Sequence, residues 1–172
     1  LKHPKEVNVF LFGAFSGQDS ATIAEASSEL SKLSPNLKVA IARHDTSEPD
    51  HGIVISLAEN RQQKPSVLHE GKTIAGKSCM YPKIIKNKIS LSFNLSDRSK
   101  ELRQQSLVSS LYFSLVPIKM TKSGINQLYT LANGRISFTR HYADLLRLVY
   151  ANEFPDGYDR RDFIKLKSGL VL

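Results

Sequence analysis

An α/β chain is what this sequence predicts: a strand–helix–strand core followed by a mostly helical C-terminal segment. Three observations carry that expectation. Short apolar or alternating runs bounded by turn residues surround one long stretch of helical period in the first ninety residues. Beyond residue 90 the period becomes that of amphipathic helices. Apolar residues make up 41% of the 172, enough for a core, so wholesale disorder is excluded.

The elements follow in order. EVNVFLFGAF, residues 6–15, is an apolar and aromatic run closed by Gly13 and Gly17, a buried strand. A helix should come next. Asp19 or Ser20 can cap its free N–H groups, and Thr22 with Glu25 has capping-box spacing. Ile23, Ala26, Leu30 and Leu33 share one face, and Pro35 ends the helix. NLKVAIAR, residues 36–43, alternates Leu37, Val39 and Ile41 against Lys38, Ala40 and Ala42, a half-buried strand. HGIVISLAE repeats the alternation with Ile53, Ile55 and Leu57. Between the two, Asp45, Ser47 and Pro49 are turn formers. KPSVLHEGKTIAGK, residues 64–77, reads as a hairpin turning at Glu70-Gly71. CMYPKIIKNKI, residues 79–89, reads as a short helix with Pro82 in its first turn. This order suggests a thioredoxin-like α/β sandwich over residues 1–90.

Residues 91–172 read as a helical, basic extension. One helix is expected over 99–117, with Leu107, Val108, Leu111, Tyr112 and Leu115 on one side. Another is expected over 140–154, with Tyr142, Leu145, Leu146, Val149 and Tyr150. A polar, basic tail follows. There is no internal repeat and no run of eighteen apolar residues, so no membrane span is expected. The chain starts at Leu1 rather than Met and so reads as processed or as a fragment. The lone Cys79 excludes an internal disulfide framework and a cysteine-based zinc cluster.

Charge narrows the partners. Lys and Arg number 24 against 16 acids, a net charge of +8 and a pI near 9.6. Such a surface favours polyanions, because each neutralised phosphate releases a counterion. Residues 61–90 concentrate the imbalance: Arg61, Lys64, Lys72, Lys77, Lys83, Lys86 and Lys88 stand against Glu70 alone. A second basic cluster is Arg160, Arg161, Lys165 and Lys167. Tyr81 accompanies the first cluster, Tyr158 and Phe163 the second, a pattern suited to phosphate contacts with base stacking. An ordinary solvated face has the same composition.

Catalytic motifs are incomplete. His44, Asp45, Asp50 and His51 could in principle bind a metal, but their spacing is not that of a helix face and turn chemistry explains them. GKTIAGKS, residues 71–78, formally matches the phosphate loop, with Lys77 and Ser78 in the key places. That motif needs a loop leading into a helix, whereas Thr73-Ile74-Ala75 reads as the return strand of a hairpin. Where thiol redox enzymes carry CxxC after the first strand, this chain has FSGQDS. No G-x-S-x-G elbow exists.

KEVNVFLFGAF, the helix bearing SSEL, NLKVAIARHDTSEP and the VLHEGKTIAGK hairpin together resemble the thioredoxin-like mitochondrial ribosomal protein family, in particular large-subunit protein fifty-three. Arg43-His44-Asp45 and Ser47-Glu48-Pro49 are the most specific part. The resemblance covers roughly residues 4–89. IVISLAENRQQKPS looks inserted relative to the family, and residues 91–172 look like a lineage-specific extension. The related family of large-subunit protein forty-three and small-subunit protein twenty-five has a similar element order. The resemblance implies a non-catalytic component of the mitochondrial large ribosomal subunit in the matrix. It further implies contacts with large-subunit rRNA and adjacent ribosomal proteins, towards the stalk base, and no cofactor, membrane or small-molecule substrate. Two other readings compete: a phosphate-loop nucleotide enzyme using residues 71–78, and a protein–protein adaptor working through the helices of 99–154.

Overall fold

β1, Glu6–Phe12, is the strand around which the sheet assembles in a computed structural model of the chain. The structure describes residues 5–13, 15–42, 52–57, 68–69, 72–73, 83–85, 88–93, 99–116 and 127–151, with only the backbone given for 56–57 and for the residues between 68 and 93. The fold is mixed α/β with a largely parallel sheet of five strands. β1 lies between β2, Lys38–Ile41, and β3, Gly52–Leu57, and is parallel to both. β7, Lys88–Phe93, continues the parallel run beside β3. β6, Lys83–Ile85, closes that edge antiparallel to β7. Register staggers the two neighbours of β1. Val9 faces Ile41 on one side and Ile53 on the other, so β2 covers the first half of β1 and β3 the second.

Alternation along the strands sorts the side chains. Val7, Val9, Val39, Ile53 and Ile55 join the main core, while Phe10 and Val54 are buried outside that cluster. Residues 52–55 are all buried, which corrects the half-buried strand expected there. A parallel strand with neighbours on both sides and cover on both faces reads as continuous burial rather than alternation.

α1, Gly17–Leu33, packs Ile23, Ala26 and Leu30 into this core, with Leu33 partly buried, as its spacing predicts. Its cap differs from expectation. The N-cap is Ser16, and the capping box is Ser16 with Asp19, not Thr22 with Glu25. Glu25 instead accepts the Ile136 backbone N–H at 2.7 Å. Ser34 caps the C-terminus in extended conformation, as the residue before Pro35 should. β2 is an outer strand, and Ser31 guards it. The Ser31 hydroxyl accepts the Val39 N–H at 2.9 Å, so the strand's outward donor is satisfied within the chain.

β4, Leu68–His69, and β5, Lys72–Thr73, pair antiparallel, while Glu70-Gly71, where the hairpin is expected to turn, lie outside the described residues. Where a helix is expected over 79–89, residues 83–85 and 88–89 are strand, in β6 and the start of β7; 79–82 and 86–87 lie outside the described residues. Ile84, Ile85 and Ile89 are β-branched and suit a pleated surface. Pairing with β3 gives β7 a ladder that a short isolated helix would lack.

α2, Lys100–Leu115, buries Leu107, Val108, Leu111, Tyr112 and Leu115, the residues its period selects. Ser109, Ser110 and Ser114 are buried too, so the second half of α2 is enclosed all round. A hairpin of β8, Tyr129–Ala132, and β9, Arg135–Phe138, follows, where only helix and loop are expected. Asn133 and Gly134 form its two-residue turn with φ of 54° and 75°, the left-handed pair that hairpin twist requires. α3, Arg140–Val149, ends with Tyr150 as C-cap; residues 152–154 of the expected helix lie outside the described residues.

The division expected at residue 90 falls inside β7. Val9, Ile23, Leu111, Ile136 and Leu146 belong to one core cluster, so residues on both sides of that division share a core. Tyr112 is its hub. Its hydroxyl donates to the Tyr142 carbonyl at 2.7 Å, and its ring stacks on Phe138. Burial of that phenol pushes its pKa strongly upward, so it stays neutral and remains a donor.

Candidate functional site

Parallel strands carry their carboxyl ends to one edge of a sheet, and ligands of open α/β folds bind outside that edge where the strand order reverses direction. Here the reversal lies between β1 and β3. β1 and β7 run the same way, through β3. α1 follows β1 and α2 follows β7, and the two helices begin next to each other.

Their first turns are clasped by one ion pair. Asp19 on α1 meets Arg103 on α2: Nε donates to Oδ1 at 3.1 Å, and a terminal guanidinium nitrogen donates to Oδ2. Ser16 completes the shell, donating its N–H to Oδ2 at 3.1 Å and its hydroxyl at 2.7 Å. The Asp19 N–H returns to the Ser16 hydroxyl at 3.1 Å. The carboxylate side chain is only 4% exposed and the guanidinium side chain 23%. Burial pushes the Asp19 pKa up, but the hydrogen bonds from Arg103 and Ser16 outweigh it, and the net shift is downward. Arg103 is held more firmly protonated by the same bonds. A carboxylate this well served is a stable anion and a poor proton acceptor.

Beside the clasp lies a cleft of about 250 Å³, lined by Ser16, Gln18, Asp19, Thr22, Lys100, Arg103 and Gln104. Apart from Asp19, its side chains are hydrogen-bond donors. Reading the sequence did not find this cleft. The available signal was S-x-x-D at 16–19, a capping box directly after a strand; the partner from residue 103 has no local signature.

Of the basic residues singled out from sequence, three have described backbones. Lys72 opens β5 opposite His69. Lys83 opens β6 opposite Ser90, and Lys88 opens β7 opposite Ile85. They therefore belong to two hairpins, and Lys83 to the outermost strand of the sheet. Arg61, Lys64, Lys77, Lys86, Arg160, Arg161, Lys165 and Lys167 lie outside the described residues, as do His44, Asp45, Asp50, His51, Ser78 and Cys79. The 43–49 connection lies outside them too. Among the described residues no group of three or more His, Cys, Asp or Glu side chains could hold a metal ion, and no helix is long and apolar enough to cross a membrane.

Neither a family model nor a curated protein matches this chain.

Proposed function

We propose that the chain is a non-catalytic, RNA-binding component of a ribonucleoprotein particle, with the mitochondrial large ribosomal subunit as the particle its sequence resemblance points to. The observation that carries the reading is where the basic block falls. Seven basic residues against one acid occupy 61–90, and within it Lys83 and Lys88 flank the outermost strand pair of the sheet. Lys83 stands on the edge strand β6, where a lysine discourages strand addition by other chains and suits contacts to phosphate. The partners are large-subunit rRNA and adjacent ribosomal proteins. Residues 91–172 contribute to the core as well as to any such contacts, since α2, β9 and α3 supply much of it.

The closed shell around Asp19 supports binding rather than turnover, because the one buried carboxylate beside the cleft is held as a stable anion. β5 at Lys72–Thr73 supports the hairpin reading of 71–78 over the phosphate-loop one, since that motif needs loop where this strand runs. The finer fold belongs to the same proposal. A β1–α1–β2 unit with β3 on the other side of β1 supports the thioredoxin-like relation. The parallel run β2-β1-β3-β7 is the feature that favours a doubly wound sheet instead.

Co-sedimentation with mitochondrial large subunits through gradients of rising salt tests the function. The expected result is association at about 50 mM salt that falls by orders of magnitude towards about 200 mM. Lys83→Glu with Lys88→Glu should release the chain at lower salt. A chain that stays at the top of the gradient even at low salt overturns the proposal.

A further inference from the structure

We propose that the outer edge of β8 receives an extended, acidic segment of a partner protein, which adds a strand to the β8–β9 hairpin. The geometry of the hairpin exposes that edge. Its two-residue turn at Asn133-Gly134 makes Ala132 and Arg135 the closing pair of the ladder. Hydrogen-bonded and non-hydrogen-bonded pairs then alternate. Thr139 donates its N–H to the Leu128 carbonyl at 3.0 Å, which keeps the same phase at the open end. The backbone groups of Ile136 and Phe138 therefore point away from β8, and those of Tyr129 and Leu131 point away from β9. On the β9 side Glu25 takes the Ile136 N–H. On the β8 side no strand pairs among the described residues.

Other outer strands carry a device against strand addition, and β8 does not. Ser31 takes the outward Val39 N–H of β2, Glu25 serves β9, and Lys83 stands on β6. β8 reads Tyr-Thr-Leu-Ala, without charge or proline. Leu131 lies across the ladder from Ile136; Ile136 is buried, whereas Leu131 is 52% exposed. An added strand would cover Leu131 and give partners to the outward groups of Tyr129 and Leu131, as peptides do on open sheet edges. Nucleic acid has no alternating N–H and C=O groups to complete such a ladder.

Charge selects the occupant. Residues 102–143 contain Arg103, Lys119, Lys122, Arg135 and Arg140 and no acidic residue. Arg135, at the turn, is exposed and makes no ion pair among the described residues. Arg140, just past the open end of β9, has a side chain 95% exposed, with Asp144 at 3.7 Å. A cation thus follows each end of β9, and Glu25 is engaged on the opposite side from β8. A second copy of this chain would bring the same cations and the same net charge of +8 to the edge, whereas an acidic segment complements them.

β8 shares no residue with the basic block at 61–90, so this site stands or falls independently of the ribosomal reading. Fluorescence anisotropy of a labelled peptide, Glu-Val-Thr-Val-Glu-Val, titrated with the intact chain tests it. Saturable binding is expected, about tenfold weaker for the same peptide with Lys in place of both Glu. The peptide N-methylated at every residue cannot pair as a strand and should not bind. Leu131→Pro removes an outward donor and the exposed side chain but no bond to β9, and should weaken binding about tenfold. Arg135→Glu should reverse the preference, so that the Lys peptide binds more tightly. Circular dichroism shows whether each variant is folded; Arg135→Glu, at an exposed position, keeps the test alive if Leu131→Pro is not. Sedimentation velocity of the chain alone should show a monomer. A dimer that Leu131→Pro dissolves gives the edge to a second copy and overturns the proposal. No saturable binding, equal binding of the N-methylated peptide, or binding that neither folded variant changes overturns it too.

Discussion

Asp19 shows how much one side chain can carry. It caps α1 through Ser16 and pins α2 through Arg103, tying residues 84 positions apart. Its folded pKa lies below the ordinary 3.8, so the carboxylate favours the folded state once ionised. The resulting stability is present above the unfolded-chain pKa and is lost as pH falls through the lower folded value. Asp19→Asn should therefore cost about 2 kcal/mol at pH 7, where a partly buried charge-assisted pair and a cap are both weakened. In urea titrations the gap between the two proteins should close as pH drops below about 4. A gap that persists unchanged to pH 2 would refute this account. The same scale shows where sequence spacing misleads. Thr22 and Glu25 have capping-box spacing, yet Ser16 and Asp19 form the box, because the helix starts earlier than Asp19. Glu25 is then free to serve β9, 111 positions away.

Elements here are shaped by their neighbours as much as by their own residues. β3 depends on Gly52, whose φ of +99° and tight fit against β1 no other residue accommodates. A Cβ there would stand 2.5 Å from the Asn8 carbonyl oxygen and 3.2 Å from the Phe10 ring. Gly52→Ala should thus cost about 3 kcal/mol or more, from left-handed strain plus a clash with backbone that has no room to move. Thermal unfolding followed by circular dichroism measures it, and a loss under about 1 kcal/mol would show that the approach of β3 to β1 relaxes easily. Asn133-Gly134 is a local signal of equal clarity, and it explains why β8 and β9 turn where they do. The segment at 79–89 is the contrary case. Its pattern fits a helix and its β-branched residues fit a strand, and the open edge of β3 decides for the strand.

At the scale of the whole molecule, the core is a single structure fed from both halves of the chain. Leu111, fully buried, packs in one cluster with Val9 and Ile53 from the sheet and Leu146 from α3. Leu111→Ala should destabilise the protein by about 2–5 kcal/mol. It should do so in one transition, with far-UV and near-UV signals lost together. Two separated transitions would mean that residues 91–172 fold as an annex after all. The sequence by itself determined α1, α2 and α3 and their inward faces, β1 and β2, the pairing of 68–69 with 72–73 and the net positive charge, because those follow from residue type and local period. Tertiary structure alone decided that β3 is buried on both faces, that 83–85 and 88–93 join the sheet, that Asp19 finds Arg103, and that the cleft beside them exists. Each of these depends on contacts between residues far apart in the chain, and local periodicity contains no information about which distant neighbour will be there.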